Sequence, residues 1–182
     1  MKILFVTHNK GKVREFKEIL GKENIEHKDF EYPEIQSDDP VEIAKAGAKY
    51  CAEKFGKAVV VEDSGVFISA LNGFPGTFSA TIHKQIGLKG ILKLMEGVKD
   101  RRCFYKSAVG YCEPGKEPLG FLGEEEGTLA MKERGNHGFG HDPIFIPKGH
   151  DKTYGEMEDA GKTKKFRRRA LENFLGQLRR KA

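Results

Sequence analysis

The chain predicts an α/β domain on a mixed β-sheet, and three observations carry that expectation. Strand-like and helix-like segments alternate through the first third, two longer and partly alternating strand segments follow, and an amphipathic helix closes the chain. Strand–helix alternation favours parallel neighbours, whereas long strands joined by a short turn favour antiparallel pairing, so both should occur.

Each element has its own reason. Lys2 to Thr7 is an apolar run of strand length, broken by Asn9-Lys10-Gly11. Val13, Phe16 and Ile19/Leu20 then recur at helical spacing, and Gly21 stands where a helix ends. Asp39-Pro40-Val41-Glu42 announces a second helix: an N-cap acid, a first-turn proline and a glutamate at the third helical position. Its stripe is Val41, Ala44, Ala48, Ala52 and Phe55, and Gly56 ends it. Ala58 to Val61 is β-branched without alternation, as in a strand covered on both faces, and Asp63-Ser64-Gly65 reads as the turn that follows. Gly90 to Met95 looks helical, and RRCFYKSAVGYC and PLGFLGEEEGTLAMKERG are strand-like, split by the turn EPGKEP. Phe166, Ala170, Phe174 and Leu178, joined by Leu171 and Leu175, form the apolar face of the last helix.

With 182 residues, 38% of them hydrophobic, and no linker-like stretch, the chain is expected to form one domain over 1–182. Its first apolar run is too short for a signal peptide, and nothing approaches the ~20 apolar residues of a membrane span, so a cytoplasmic protein is expected. Cys51, Cys103 and Cys112 are odd in number, with no C-x-x-C pair, which argues against a disulfide framework and against structural zinc. The net charge is +5, and KTKKFRRR (Lys162 to Arg169) concentrates six basic residues. Such a run is ordinarily a solvated helix face; a polyphosphate or nucleic-acid contact is the sharper reading.

Neither G-x-x-x-x-G-K-[ST] nor G-x-S-x-G occurs, and GFGHDP lacks the third glycine of a dinucleotide fingerprint. THNKGK, Thr7 to Lys12, lies between a strand end and a helix start, where backbone N–H groups and Lys12 can face an anion. Glu62 and Asp63 follow a buried strand, where carboxylates lose hydration and need a partner. Mg²⁺ is one such partner, with Glu34 a third donor; a salt bridge to a lysine, with an Asx-turn at Asp63, is the other. Two Gly-rich loops, LNGFPGTFSA and HGFGHDPIF, carry aromatics; Phe139 could stack on a nucleobase and Asp142 accept its ring N–H, or the phenylalanines could simply anchor turns in the core.

Thr7, Asn9 and Lys12 in T-x-N-x-x-K, then PEIQ, VEDSG, NGFPGTFS, GFGHDPIF and KTYGEM follow one another in a known order. With them the chain resembles the inosine triphosphate pyrophosphatase family, the dITP/XTP or noncanonical purine nucleoside triphosphate pyrophosphatases, from residue 1 to about residue 175. The resemblance implies an elongated α/β domain with a central mixed sheet, two lobes flanking an active-site cleft, and a homodimer. It implies Mg²⁺-dependent hydrolysis of ITP, dITP or XTP to the monophosphate and pyrophosphate, cleansing the nucleotide pool, with no membrane partner and none expected among nucleic acids. By position it assigns Thr7, His8, Asn9, Lys10, Gly11 and Lys12 to the triphosphate, and Glu34, Glu62 and Asp63 to the metal. Asp63 becomes the proton acceptor, with Glu62 and Lys12 completing the catalytic group; Lys49 and Ser64 touch the substrate, and Phe139, Gly140, His141 and Asp142 hold the base.

The pattern departs near the last helix, where the family carries Ser-His-Arg preceded by a lysine. Lys165-Phe166-Arg167 stands there instead: Arg167 is kept, Lys162 is the candidate for the preceding lysine if one residue is missing after Met157, and Phe166 also belongs to the apolar stripe. His141 replaces a common Tyr or Trp. These changes bear on base choice more than on reaction type. The alternatives are the same chemistry with relaxed or shifted base specificity, and a noncatalytic nucleotide- or RNA-binding module working through the basic segment.

Overall fold

A computed structural model describes residues 3–21 and 24–181; Lys2, the expected start of the first strand, lies outside them. Six strands form one mixed sheet in the order β2-β1-β3-β4-β5-β6. They are β1 (Ile3–Val6), β2 (Ile25–Lys28), β3 (Val59–Ile68), β4 (Arg102–Cys112), β5 (Leu119–Leu129) and β6 (Phe145–Pro147). The five α-helices among the described residues are α1 (Lys10–Leu20), α2 (Pro40–Phe55), α3 (Ser79–Leu94), α4 (Ala160–Thr163) and α5 (Lys165–Lys181). β1 runs parallel to β2, with Ile3 opposite Ile25, and parallel to β3, with Leu4 opposite Val59. β6 is antiparallel to β5, with Leu129 opposite Phe145. The neighbours β4 and β5 are joined by residues 113–118, too short a link for a parallel crossover. No helix among the described residues is long and apolar enough to cross a membrane.

Packing divides the chain into two compact units. The first comprises Met1–Asp63, Ser107–Gly123 and Lys165–Ala182. Here β1 and the start of β3 are covered on both faces, as the unbroken valine run predicts. Ile3, Phe5 and Val60 pack with Val13 and Phe16 of α1 and Ala170, Leu171 and Phe174 of α5. Leu4, Val6, Val59 and Val61 pack with Ala44, Ala48, Cys51 and Ala52 of α2. Phe5 and Phe16 stack with ring centroids 3.8 Å apart. The helix ends follow their signals: Asn9 and Asp39 are N-caps, and Gly56 terminates α2 at φ 61°. The capping box of α2 is relayed, because Glu42 accepts from Ser37 Oγ, which in turn accepts the Asp39 N–H.

The second unit comprises Ser64–Lys106 and Glu124–Lys164. Tyr105, Phe145 and Tyr154 form its aromatic centre, and Tyr154 donates to Glu125 (2.6 Å). Arg101 ties the carbonyls of Met95, Leu129 and Ala130 together. α3 begins at Ser79, eleven residues before the expected helix, and is broken at Gly87 (φ 63°, ψ −173°). Its weak apolar periodicity hid the first half from a pattern search. Phe74 and Phe78 are 36% and 40% exposed, so they are not the core anchors that the plain reading of their loop supposes. All three cysteines are free and buried.

The expected turn at Asp63-Ser64-Gly65 does not exist: β3 continues through it to Ile68. Turn-forming residues occupy this strand for a different reason, since a Cβ on Gly65 would lie 2.0 Å from the Gly76 carbonyl oxygen and 2.7 Å from Ser79 Oγ. Ser79 Oγ itself accepts from Val66 N–H and donates to the Gly76 carbonyl. Gly65→Ala is therefore expected to lower unfolding stability by about 1–3 kcal/mol through overpacking, read from urea denaturation.

Candidate active site

In the first unit, Thr7 follows β1 and is fixed by its N–H to the Lys28 carbonyl and by its own carbonyl to the His27 ring. Thr7 Oγ1 accepts from Asn9 N–H, and Asn9 Oδ1 caps α1 by accepting from Gly11 and Lys12 (2.9 and 3.1 Å). Lys10, Gly11 and Lys12 thus form the first turn of α1 rather than a loop, leaving His8 and Lys10 exposed. Lys12 reaches β3, donating to the Glu62 carbonyl (2.7 Å) and lying 2.9 Å from Glu62 Oε2.

Glu62 is the hub of a buried ionic network. Its Oε1 accepts from Ser107 Oγ (2.6 Å) and from Arg167 Nε (3.1 Å), and Arg167 also pairs with Glu15. Burial by itself would raise the Glu62 pKa, but Arg167, Lys12 and the Ser107 hydroxyl together carry it down to about 2. Burial works against the Arg167 charge as well, and the two acids overcome it, so the guanidinium is held more firmly charged than usual. The lysine salt bridge considered for Glu62 is thus present, and it is made with a lysine of the predicted phosphate segment.

Asp63 is 9% exposed and Glu34 is exposed. Tyr32 registers the charge around them: burial first, then Glu34, Cys51, Asp63 and Glu62, push its pKa well above its ordinary value. Among the described residues no three His, Cys, Asp or Glu side chains gather as a metal-holding group. Mg²⁺ ordinarily takes only one or two carboxylates and completes its shell with water and substrate phosphate, so an acidic locus around Asp63 and Glu34 fits it. Glu62, with both oxygens engaged by cations or Ser107, fits an orienting role better than direct coordination. Lys49, on α2, is exposed and lies 3.6 Å from Glu117.

In the second unit, Ser64 is half-buried within β3, and the other residues of note gather around the loop before β6. Asp142, 1% exposed, accepts from Tyr105 Oη (3.0 Å) on Oδ1 and from Phe139 N–H (2.8 Å) on Oδ2. Lys164 Nζ donates to the same Oδ2 (2.7 Å) and lies 4.7 Å from the Phe139 ring centroid. Gly138, at φ 74°, lets the carboxylate in, since a Cβ there would lie 2.0 Å from Asp142 Oδ2. His141 is buried edge to face with His83, its Nε2 has no hydrogen-bond partner, and burial followed by the His83 charge lowers its pKa to about 4. Phe139 and Gly140 are half-buried.

A family model described as the Ham1 family matches residues 3–177. The chain belongs to the Ham1 family. It is 53% identical over 177 residues to a dITP/XTP pyrophosphatase of Methanopyrus kandleri, covering 96% of this chain and 94% of that one. It is 52% identical over 178 residues to a protein of the same name from Methanosarcina mazei, at 96% and 95% coverage. Among solved structures, the Staphylococcus aureus Ham1 protein superposes with a TM-score of 0.82 at 27% identity, covering 98% of this chain and all of that one. A HAM1 protein from Coxiella burnetii gives 0.79 at 28% identity, with 99% and 100% coverage.

Three residues of this Ham1-family chain escaped the sequence reading. Glu15 and Ser107 both serve the Glu62 network. One turn separates Lys12 from Glu15 on α1, a cue that could have revealed the acid; nothing marks Ser107, a serine inside a long strand. The third is Lys164. Lys162 was the sequence candidate in this segment, yet it is exposed, and Lys164 is the lysine buried against Phe139 and Asp142. Phe166 and Arg167 are both buried, with the guanidinium 4.9 Å from the ring centroid.

Proposed function

We propose that this Ham1-family chain is a cytoplasmic, Mg²⁺-dependent pyrophosphatase that hydrolyses deaminated purine nucleoside triphosphates (ITP, dITP, XTP) to the monophosphate and pyrophosphate. The observation that carries the reading is the Lys12–Glu62 pair, which fixes the capped first turn of α1 against the strand position next to Asp63. Relatives about half identical over nearly the whole chain carry the matching name.

In this reading Asn9, Lys10 and Lys12 hold the polyphosphate, with Thr7, His8 and Gly11 shaping the segment. Asp63 takes the proton of a water closing on the α-phosphorus as the bond to the bridging oxygen breaks and pyrophosphate leaves. Glu62, locked by Arg167 and Ser107, aims Lys12 and sets the local charge. Mg²⁺, when bound near Asp63 and Glu34, would offset phosphate charge and acidify water. Ser64 and Lys49 contact the substrate, and Lys162 and Arg167 add positive potential. The base stacks on Phe139, flanked by Gly140 and His141, while Asp142 accepts its N1–H. The same reading makes the protein a homodimer, and a sedimentation mass of 20.4 kDa would reject that part of it.

A panel of ITP, dITP, XTP, GTP and ATP with Mg²⁺, scored for pyrophosphate against orthophosphate, tests the proposal. Pyrophosphate should appear, ITP should exceed ATP by about tenfold or more in kcat/KM, and chelator should abolish turnover. Orthophosphate as sole product would overturn the assigned bond cleavage. Equal rates on all five would leave the chemistry and remove the pool-cleansing role. Nucleotide binding that survives chelator without turnover, weakening mainly with salt, would favour a basic binding module instead.

A further inference from the structure

Lys164 and Asp142 are both deeply buried in the second unit, their side chains 2% and 1% exposed. A buried carboxylate is expensive to keep charged, and its neutral form is the usual escape. For a residue expected to read a base, that escape changes the chemistry. An ionised carboxylate only accepts hydrogen bonds, whereas a protonated one also donates. Hypoxanthine, xanthine and guanine carry a hydrogen on N1; adenine has a bare acceptor there. An acceptor-only Asp142 therefore welcomes the first three and rejects adenine, and a protonated Asp142 can serve adenine as well.

Resting on the proposed role of Asp142 toward N1–H, we infer that Lys164 is a positioning residue for base choice: its ammonium holds Asp142 ionised and acceptor-only beside Phe139. Tyr105 and the Phe139 N–H are neutral donors, and His141 packs on His83 rather than donating to the carboxylate. Behind Lys164, the Tyr154 ring lies 5.7 Å from the ammonium, and its hydroxyl is committed to Glu125. Lys164 is a cation paired directly with Asp142, through a charge-assisted bond of 2.7 Å.

The test is Lys164→Met, which keeps length and apolar bulk, compared with Lys164→Arg, which keeps the charge. In the Met variant kcat/KM for ITP should acquire an acid limb, falling about tenfold per pH unit where wild type stays level. Its ITP-to-ATP preference should drop by about tenfold at the acid end, with GTP following ITP, and Lys164→Arg should restore both. The acid limb should vanish in the Asp142→Asn background. A flat profile with unchanged preference in Lys164→Met, or an Arg variant that behaves like Met, would overturn the inference. The carboxyl carbon resonance of Asp142 supplies a readout without turnover: it should titrate at higher pH in Lys164→Met than in wild type, and an unmoved titration would sink the charge-holding role. If wild type does not prefer ITP to ATP, the proposed base reading fails, while the resonance still reports on Lys164.

Discussion

Asp63→Asn is expected to reduce kcat for ITP by about 10²–10⁴-fold with little change in KM. The two side chains have nearly the same shape, so packing around β3 should survive and the loss should be chemical. Asparagine cannot take a proton from water and is a weaker ligand for a hard cation. Single-turnover release of pyrophosphate gives the number directly. Residual activity within tenfold of wild type would remove Asp63 from the proton-acceptor role and point to another base.

Arg167→Met should cost about 3–5 kcal/mol of stability at neutral pH, because it deprives two buried acids, Glu15 and Glu62, of their shared cation. Urea unfolding measures it, and acid titration adds a second signature. In wild type the Glu62 pKa is depressed from 4.5 to about 2. Its contribution, on the order of 3 kcal/mol, is complete above about pH 4.5 and is lost as the pH falls toward 2. The variant lacks the Arg167 part of that contribution, so the stability gap between the two proteins should narrow as the pH falls from about 4.5 toward 2. A variant within about 1 kcal/mol of wild type would mean that the network adds little net stability.

The fold was legible wherever one physical signal acted alone. Valines without alternation announced a strand covered on both faces, and Asn9, Asp39 and Gly56 marked helix ends through local hydrogen bonding that needs no distant partner. Gly65 misled because two signals share a residue type: glycine suits a turn, and it also suits a strand pressed against another backbone, which only the folded chain distinguishes. The site divides in the same way. Order along the chain singled out Thr7 to Lys12, Glu62, Asp63 and the Phe139 to Asp142 loop as candidates. Glu15 and Ser107 owe their role to Glu62, 47 and 45 residues away in sequence, and neither has a neighbour that betrays it. Lys164 was passed over for Lys162 because counting along a helix entry cannot tell which of two nearby lysines turns inward.

The thiols have a practical consequence. Burial pushes Cys51 to about 11 and Cys103 to about 12, so at neutral pH only about one in ten thousand or fewer is in the reactive anionic form. Cys112 is buried too, with its sulfur against the carbonyls of Glu113 and Lys116. Iodoacetamide should leave the cysteines of the native protein unlabelled and its activity intact, and purification should need no reductant. Modification under those conditions would report unfolding, giving this chain a built-in chemical gauge of its own integrity.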